Sequence, residues 1–330
     1  MSFFRDRRVL VIGGLGFIGT RLTGRLRQDG ARITVMSRSL AVHGEAAAAL
    51  SEAGVRVVEG DLRDADRMRE AVREQDVIVN LAGQSGAVRS MEDPWTDLDV
   101  NCRGNLVLLE ALRSDNPVAR LVFVSSRLSY GSGGADPIDE AHVPDPLCVH
   151  AVHKLAAEQY LRLYHRIYGL NVTTARLTNP YGPGQPAGRT AYGVVNRMIH
   201  LALSGETLSI YGDGRQRRDY IYVDDAVDAL MRMAEAPQSD GRLYNVGSGR
   251  GTPLVEMARA IIGMAGSGRI GFVPWPELDE QIETGDFVAD IGRIERELGW
   301  TPRVSLADGL QRTIAHYKAQ HSTSKAHPTV

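Results

Sequence analysis

The sequence predicts an α/β fold: a doubly wound parallel sheet with a smaller α/β lobe toward the C-terminus. Three observations carry that prediction. Short β-branched runs alternate with amphipathic segments through the first half of the chain, as in strands joined by crossover helices. The first run, Val9-Leu10-Val11-Ile12, ends in glycines spaced Gly13-x-x-Gly16-x-x-Gly19, and an amphipathic segment from Thr20 to Gln28 follows at once. The later segments continue without a linker, so the second lobe is expected to interleave with the sheet.

Strand, glycine turn and helix in that order form a cradle for a dinucleotide. The first glycine permits the turn, the second lets backbone N–H groups approach a pyrophosphate, and the third lets helix and strand pack closely. The helix N-terminus adds positive potential. Arg32 to Met36 is the next strand, ending at Ser37-Arg38-Ser39. An acidic residue at this point would receive a ribose 2′-OH. Ser37 and Arg38 suit a 2′-phosphate instead, so NADP(H) is expected over NAD(H). Val55 to Glu59 is the third strand, followed by Gly60-Asp61-Leu62 and a helical segment to Glu74. Asp61 could accept from an adenine amino group or cap the helix after it.

Asp76 to Asn80 is a fourth strand, and the small residues of Leu81-Ala82-Gly83 at its end suit a cofactor passing close by. A helix carrying Val100, Leu106, Leu109 and Leu112 follows, then a strand from Arg120 to Val124 that runs into Ser125-Ser126. Gly131 to Pro146 reads as a loop, and Val149 to Tyr168 as a long helix with Ala156, Tyr160, Leu163 and Ile167 on one stripe for core or interface packing. Val172 to Leu177 is another strand, and Asn179-Pro180-Tyr181-Gly182-Pro183-Gly184 breaks regular structure.

Composition bounds the partners. At 330 residues the chain holds one large domain or two fused ones, and 43% hydrophobic with 24% charged residues is enough apolar material for a sizeable core. A net charge of −2, with no basic stripe of interleaved aromatics, argues against nucleic acid and anionic membranes. Cys102 and Cys148 form neither a disulfide framework nor a metal-ligand pattern, so no metal is expected. No apolar run approaches the ~20 residues of a bilayer span, and Met1 to Arg8 lacks a signal-peptide apolar region. A cytoplasmic location is expected.

The blocks accumulate in a familiar order. They are the glycine turn; Gly60-Asp61-Leu62; Asn80 to Gly86; Asn101 with Gly104-Asn105; Ser125-Ser126 with Tyr130-Gly131; Lys154 to Glu158; Arg176 to Pro183; Tyr211 to Gly214; Arg218-Asp219-Tyr220; Tyr222 to Asp225; and Leu298 to Pro302. With them the chain resembles the extended short-chain dehydrogenases/reductases, the group of NAD(P)-dependent nucleotide-sugar epimerases, dehydratases, decarboxylases and ketoreductases. The resemblance implies a Rossmann domain mainly over residues 1–178 and a nucleotide-sugar lobe mainly over 179–318, while the polar composition of 319–330 predicts a loose tail. It implies cofactor contacts from Gly13, Gly16, Phe17, Ile18, Ser37, Arg38, Asp61, Leu62, Leu81, Ala82, Gly83 and Lys154. It implies substrate contacts from Gln84, Ser85, Ser126, Asn179 and Arg218, the last clamping a diphosphate unless it forms a surface ion pair with Asp213 or Asp219. Ser126 would bond the reacting sugar oxygen, and Lys154 the nicotinamide ribose. In similar proteins the helices near Val100–Arg113 and Val149–Tyr168 form a dimer interface, so a homodimer is expected.

Two departures matter. The family motif is Tyr-x-x-x-Lys, and four residues before Lys154 stands His150. Residues at i and i+4 share a helical face, and imidazole shuttles protons near neutrality. His150 could donate the proton, could orient substrate while another group donates, or could mark a binding protein that has lost catalysis. His153 reads as a helix-face histidine. Second, the sugar 4,6-dehydratases carry an Asp-Glu pair after the active-site Thr. Here Arg127 and Leu128 follow Ser126, so conventional dehydration is not expected. The leading expectation is an NADPH-dependent ketoreductase of a nucleotide-linked 4-keto-6-deoxyhexose. A nucleotide-sugar 4-epimerase is the alternative, supported by the stretch Gln84 to Pro94, and a catalytically impaired NADP and sugar-nucleotide binder the second alternative.

Overall fold

A computed structural model of the chain describes residues 2–133, 137–185 and 193–326. Six strands come first: β1 (Arg8–Ile12), β2 (Arg32–Ser37), β3 (Arg56–Glu59), β4 (Val77–Asn80), β5 (Arg120–Ser126) and β6 (Asn171–Leu177). The later strands are β7 (Asn179–Tyr181), β8 (Thr207–Tyr211), β9 (Arg217–Tyr222), β10 (Leu243–Val246), β11 (Gly251–Pro253) and β12 (Arg269–Val273). The main sheet runs β3-β2-β1-β4-β5-β6-β10, and every pairing in it is parallel. The doubly wound parallel sheet expected from the sequence is the one observed.

Burial on both faces explains the strand compositions. Val9 and Val11 point into one apolar layer with Val35, Val77 and Val79, while Leu10 and Ile12 point into the other with Ile78, Leu121 and Phe123. The strand order reverses between β1 and β4. The crevice at their carboxyl ends is therefore the binding position the topology provides. The second lobe has its own core around Tyr181, Ile199, Leu208, Tyr220 and Ile261. It also returns to the first: β10 pairs with β6, and the helix Val223–Glu235 buries Ala226, Val227 and Leu230 in the first core.

Several local expectations change. The first helix begins at Phe17, directly after Gly16, rather than at Thr20. A π-helical turn, Leu98–Arg103, precedes the helix Gly104–Asp115, and such turns are frequent at functional sites. On the helix Val149–Tyr168 the core face is Ala157, Leu161 and Tyr164, whereas Leu163 and Ile167 of the expected stripe are exposed. The expected loose tail instead continues the helix Leu306–Ala326, and residues 327–330 lie outside the described residues. No Gly or Pro interrupts the chain between Leu310 and Ala326, so nothing stops the helix earlier. Part of the expected Gly131 to Pro146 loop, residues 134–136, also lies outside the described residues. Among the described residues, no helix is long and apolar enough to cross a membrane, and no group of three or more His, Cys, Asp or Glu could hold a metal ion.

Candidate active site

The glycine turn has the tightness a phosphate cradle needs. Gly13 has φ +80°, and a Cβ there would lie 2.9 Å from the Ala82 amide nitrogen at the end of β4. A Cβ at Gly19 would meet the Gly13 carbonyl at 2.5 Å, so only glycine lets this helix approach the turn. Phe17 and Ile18 open the helix, with their N–H groups in the first turn. Ser37 closes β2, and its carbonyl accepts from Gly60 N–H. Leu62 is buried against Gly104, where a Cβ would meet its side chain at 3.0 Å.

Asp61 is held by a residue the sequence reading missed. Arg63 donates from Nε to Oδ1 at 2.9 Å and from Nη2 to Oδ2 at 2.7 Å. The Arg63 hydrogen bond, with Arg38 adding a weaker pull, keeps the Asp61 carboxyl below its usual value. Helix capping, the other use considered for Asp61, falls to Asp64, which accepts from Asp66 and Arg67 N–H.

Deeper in the crevice the polar groups converge. Asn80 bonds Ala82 N–H and the Asn105 side chain, fixing the Leu81-Ala82-Gly83 turn. Asn101, in the π-turn, donates from Nδ2 to the Gln84 carbonyl at 2.7 Å. A Cβ at Gly83 would lie 2.7 Å from Asn101 Oδ1 and 3.3 Å from Lys154 Nζ. Among the described residues, three buried polar atoms here have no hydrogen-bond partner: Gln84 Nε2, Ser85 Oγ and Asn101 Oδ1. Buried polar atoms without partners are costly, so a polar ligand is the natural occupant. Close-packed glycines and orphaned polar atoms at the strand ends fit a bound dinucleotide.

The catalytic candidates lie on the helix Val149–Tyr168 and on β5. Lys154 Nζ donates to the Val124 carbonyl at 2.9 Å, and burial brings its pKa down to about 8. One turn further on, Glu158 accepts from Ser125 Oγ at 2.5 Å and from Arg176 Nη2 at 2.6 Å. These bonds strap the helix to β5 just before Ser126, whose Oγ accepts from Leu128 N–H at 3.1 Å. His150 is buried, and its backbone N–H, one of those left unpaired at a helix start, donates to Ser90 Oγ at 2.9 Å.

The sequence reading also missed Asp97. This carboxylate is fully buried and bridges two imidazoles, with Oδ2 at 3.3 Å from His150 Nδ1 and Oδ1 at 2.8 Å from His153 Nδ1. His153, expected to be an uninvolved helix-face residue, is thus part of the cluster. His150 Nδ1 also lies 3.3 Å from Asn101 Nδ2. It therefore faces an acceptor and a donor at once. When protonated it can donate to Asp97, and when bare it can accept from Asn101. Both contacts use Nδ1, and neither uses Nε2. Burial pushes the His150 pKa below its usual value, helped by the charge of Lys154 and opposed by Asp97. Burial pushes Asp97 up, but hydrogen bonds from His150, Asn101 and His153 outweigh it and leave the carboxyl low.

The Lys154 shift carries a stability signature. The folded pKa of about 8 lies below the ordinary 10.5, so between those values the unfolded chain binds more protons. Stability then rises with pH across that window, and the burial penalty is fully present below it. In urea unfolding of the cofactor-free protein, wild-type stability relative to Lys154→Met should climb from about pH 8 to about pH 10.5. A difference that stays flat would mean the ammonium is not desolvated.

The second lobe supplies the remaining candidates. Asn179 donates from Nδ2 to the Asp219 carbonyl at 2.8 Å. Arg218 is buried and pairs with Glu283, and it also donates to the Gly285 carbonyl. Neither Asp213 nor Asp219 is its partner, so the surface ion pair considered for it is not the one formed. Glu283, 65 positions away in sequence, was not foreseen. Arg127 is buried beside this group and donates from Nη1 to Thr284 Oγ1 at 2.9 Å.

Comparison with known proteins agrees with this geometry. A family model described as the NAD dependent epimerase/dehydratase family matches residues 9–247. UDP-glucose 4-epimerase of Mycolicibacterium smegmatis is 35% identical over 322 residues, covering 94% of this chain and 98% of that protein. A dTDP-glucose 4,6-dehydratase of Streptomyces niveus is 31% identical over 326 residues, covering 94% and 93%. The crystal structure of a Thermotoga maritima UDP-glucose 4-epimerase with UDP-glucose superposes with a TM-score of 0.88 at 29% identity, covering 95% of this chain and 99% of that one.

Proposed function

Because the chain belongs to the NAD-dependent epimerase/dehydratase family, we propose that it is a 4-epimerase of a nucleotide-linked sugar. The observation that carries this reading is the buried His150 on Asp97. Its lowered pKa makes neutral imidazole the resting form near pH 7. A neutral imidazole whose proton sits on Nδ1, held by Asp97, has a bare Nε2 that can take a proton from a sugar hydroxyl. The charged form produced donates Nδ1–H to Asp97 and is then the acid for the return step. An epimerase needs both roles from one group, whereas a ketoreductase needs the acid first.

The cofactor that the family uses accepts a hydride and returns it when bound. Gly13, Gly16, Phe17, Ile18, Leu81, Ala82, Gly83 and Lys154 would hold it, with Asp61 and Leu62 toward the adenine. Ser37 and Arg38 support a 2′-phosphate, and we include preference for NADP(H) over NAD(H) in the proposal. Ser126 Oγ bonds the reacting oxygen, and Gln84, Ser85, Asn179 and Arg218 hold the sugar nucleotide. Arg127 and Leu128 after Ser126 provide no base for elimination, which separates this chain from the dehydratases. A homodimer is proposed on the outer face of the helix Val149–Tyr168, where Leu163 and Ile167 are exposed. Both cysteines are buried free thiols, which suits the cytoplasm.

The test incubates the protein with UDP- and dTDP-hexoses and catalytic amounts of cofactor. Formation of the C4 epimer by NMR, with no net change at 340 nm, is the expected result. Stoichiometric oxidation of NADPH by a 4-keto-6-deoxy sugar nucleotide, without epimer, would select the ketoreductase, which the Ser37–Arg38 pair keeps as the second reading. Neither activity would leave a binding protein. Equal affinities for NADPH and NADH would remove the 2′-phosphate assignment.

A further inference from the structure

Arg127 poses a problem that no group among the described residues solves. Among the described residues its guanidinium makes one hydrogen bond, to Thr284 Oγ1 at 2.9 Å, and stacks 5.2 Å from the Phe287 ring centroid. No carboxylate lies within ion-pair distance of it among the described residues. Guanidinium has five N–H donors, and burying it without an anion is costly. The charges facing it do not remedy this. Arg218 is a like charge, and Glu283 is paired with Arg218. Asp219 gives its oxygens to the Ser248, Gly249 and Ala289 amides. Burial and the Arg218 charge bring the Arg127 pKa down to about 10, which still leaves it a cation near neutrality.

A second group points to the same place. Among the described residues the buried Tyr220 hydroxyl has no hydrogen-bond partner. It feels both Arg127 and Arg218. Tyr220 stands two positions after Arg218 on β9, so both side chains leave the same face of the strand. Arg127 directly follows Ser126, the residue the proposed function sets against the reacting sugar oxygen. An unpaired cation, an unpaired phenol and the Thr284 hydroxyl thus lie together beyond Ser126, on the Arg218 side of the crevice rather than at the glycine turn.

We infer that Arg127, Tyr220 and Thr284 form a subsite for a carboxylate on the sugar, so that the substrate class is a nucleotide-linked hexuronic acid. The inference rests on the reading that Ser126 borders the sugar, and it deepens the epimerase proposal. One carboxylate oxygen accepts from the Arg127 fork and the other from Tyr220 O–H. The charge-assisted bonds offset the burial of Arg127. A neutral hexose leaves the cation and the phenol unpaired, which disfavours it.

Calorimetric titration of the full-length protein tests this with matched pairs: glucuronate against glucose, each linked to UDP, dTDP and GDP. The uronate is expected to bind at least about tenfold more tightly within the series whose base is accepted. In Arg127→Met that ratio should fall toward one, and in Tyr220→Phe it should fall part of the way. No uronate preference in any series overturns the inference. So does an equal loss of both ligands in Arg127→Met, which would place the guanidinium on the diphosphate. If Arg127→Met does not fold by circular dichroism, the wild-type ratio and Tyr220→Phe still decide. Because the readout is binding, absence of epimer formation would defeat the epimerase reading and leave this one standing.

Discussion

Replacing His150 with phenylalanine is expected to lower kcat by about 10²–10⁴-fold, the usual contribution of a positioned general acid–base group. Phenylalanine keeps the apolar contacts of a buried ring and removes Nδ1 and Nε2 together. Cofactor affinity should change little, since the contacts of His150 are to Ser90, Asp97 and Asn101 and not to the glycine turn. Unchanged turnover would exclude His150 as the proton-transfer group. The companion substitution is Asp97→Asn, which removes the carboxylate that favours the charged imidazole. His150 is then pushed further below its usual value. The sign follows: neutral His150 is the required base, so the acid limb of kcat/KM moves to lower pH while the plateau falls. Phenylalanine at 150 abolishes that limb. A merely structural role for Asp97 would lower the plateau without moving the limb.

Glu158→Ala is expected to destabilise the protein by about 3–5 kcal/mol, because it strands a buried cation. Arg176 and Glu158 are both buried, with Nη2 to Oε2 at 2.6 Å and Nε to Oε1 at 3.0 Å. Glu158 also collects Ser125 Oγ, and Arg176 lies over the Tyr130 ring at 4.3 Å. Removing the carboxylate leaves Arg176 with no ion-pair partner and cuts a strap between helix and β5. The double substitution Glu158→Met with Arg176→Met removes both charges and should recover most of the loss. Urea unfolding measures each. A single-site loss below about 1 kcal/mol, the range of exposed pairs, would show that water reaches the pair.

Much of the fold was legible because it rests on local patterns. Alternating apolar runs mark strands whether or not their neighbours are known, and Gly13 and Gly19 announce a turn that no other residue fits. The ends of elements were less legible. Helix–strand joints are set by packing, so Ser125 and Ser126 extend β5 by pairing with Arg176 and Leu177. What the stripe on the helix Val149–Tyr168 packs against was not legible, because a periodic apolar face reads the same toward a core or toward a second subunit, and the core took Ala157, Leu161 and Tyr164 while Leu163 and Ile167 stay exposed.

The candidate site divides along the same line. The sequence by itself determined the strand–turn–helix cradle, the pairing of His150 with Lys154 on one helical face, and the missing acid pair after Ser126. Each follows from chain connectivity and helical period, which a single sequence states directly. Only the tertiary structure decided what those groups touch. Asp97 lies 53 positions from His150, and Glu283 lies 65 from Arg218. Nothing local selects those partners. They meet because the short helix Pro94–Asp97, just before the π-turn, packs on the long helix, and because the segment after β12 returns over β9. Burial then turns proximity into chemistry, since a carboxylate at the surface would leave His150 almost unchanged. In the dry crevice it holds Nδ1, and the proposed function gives Nε2 to the sugar.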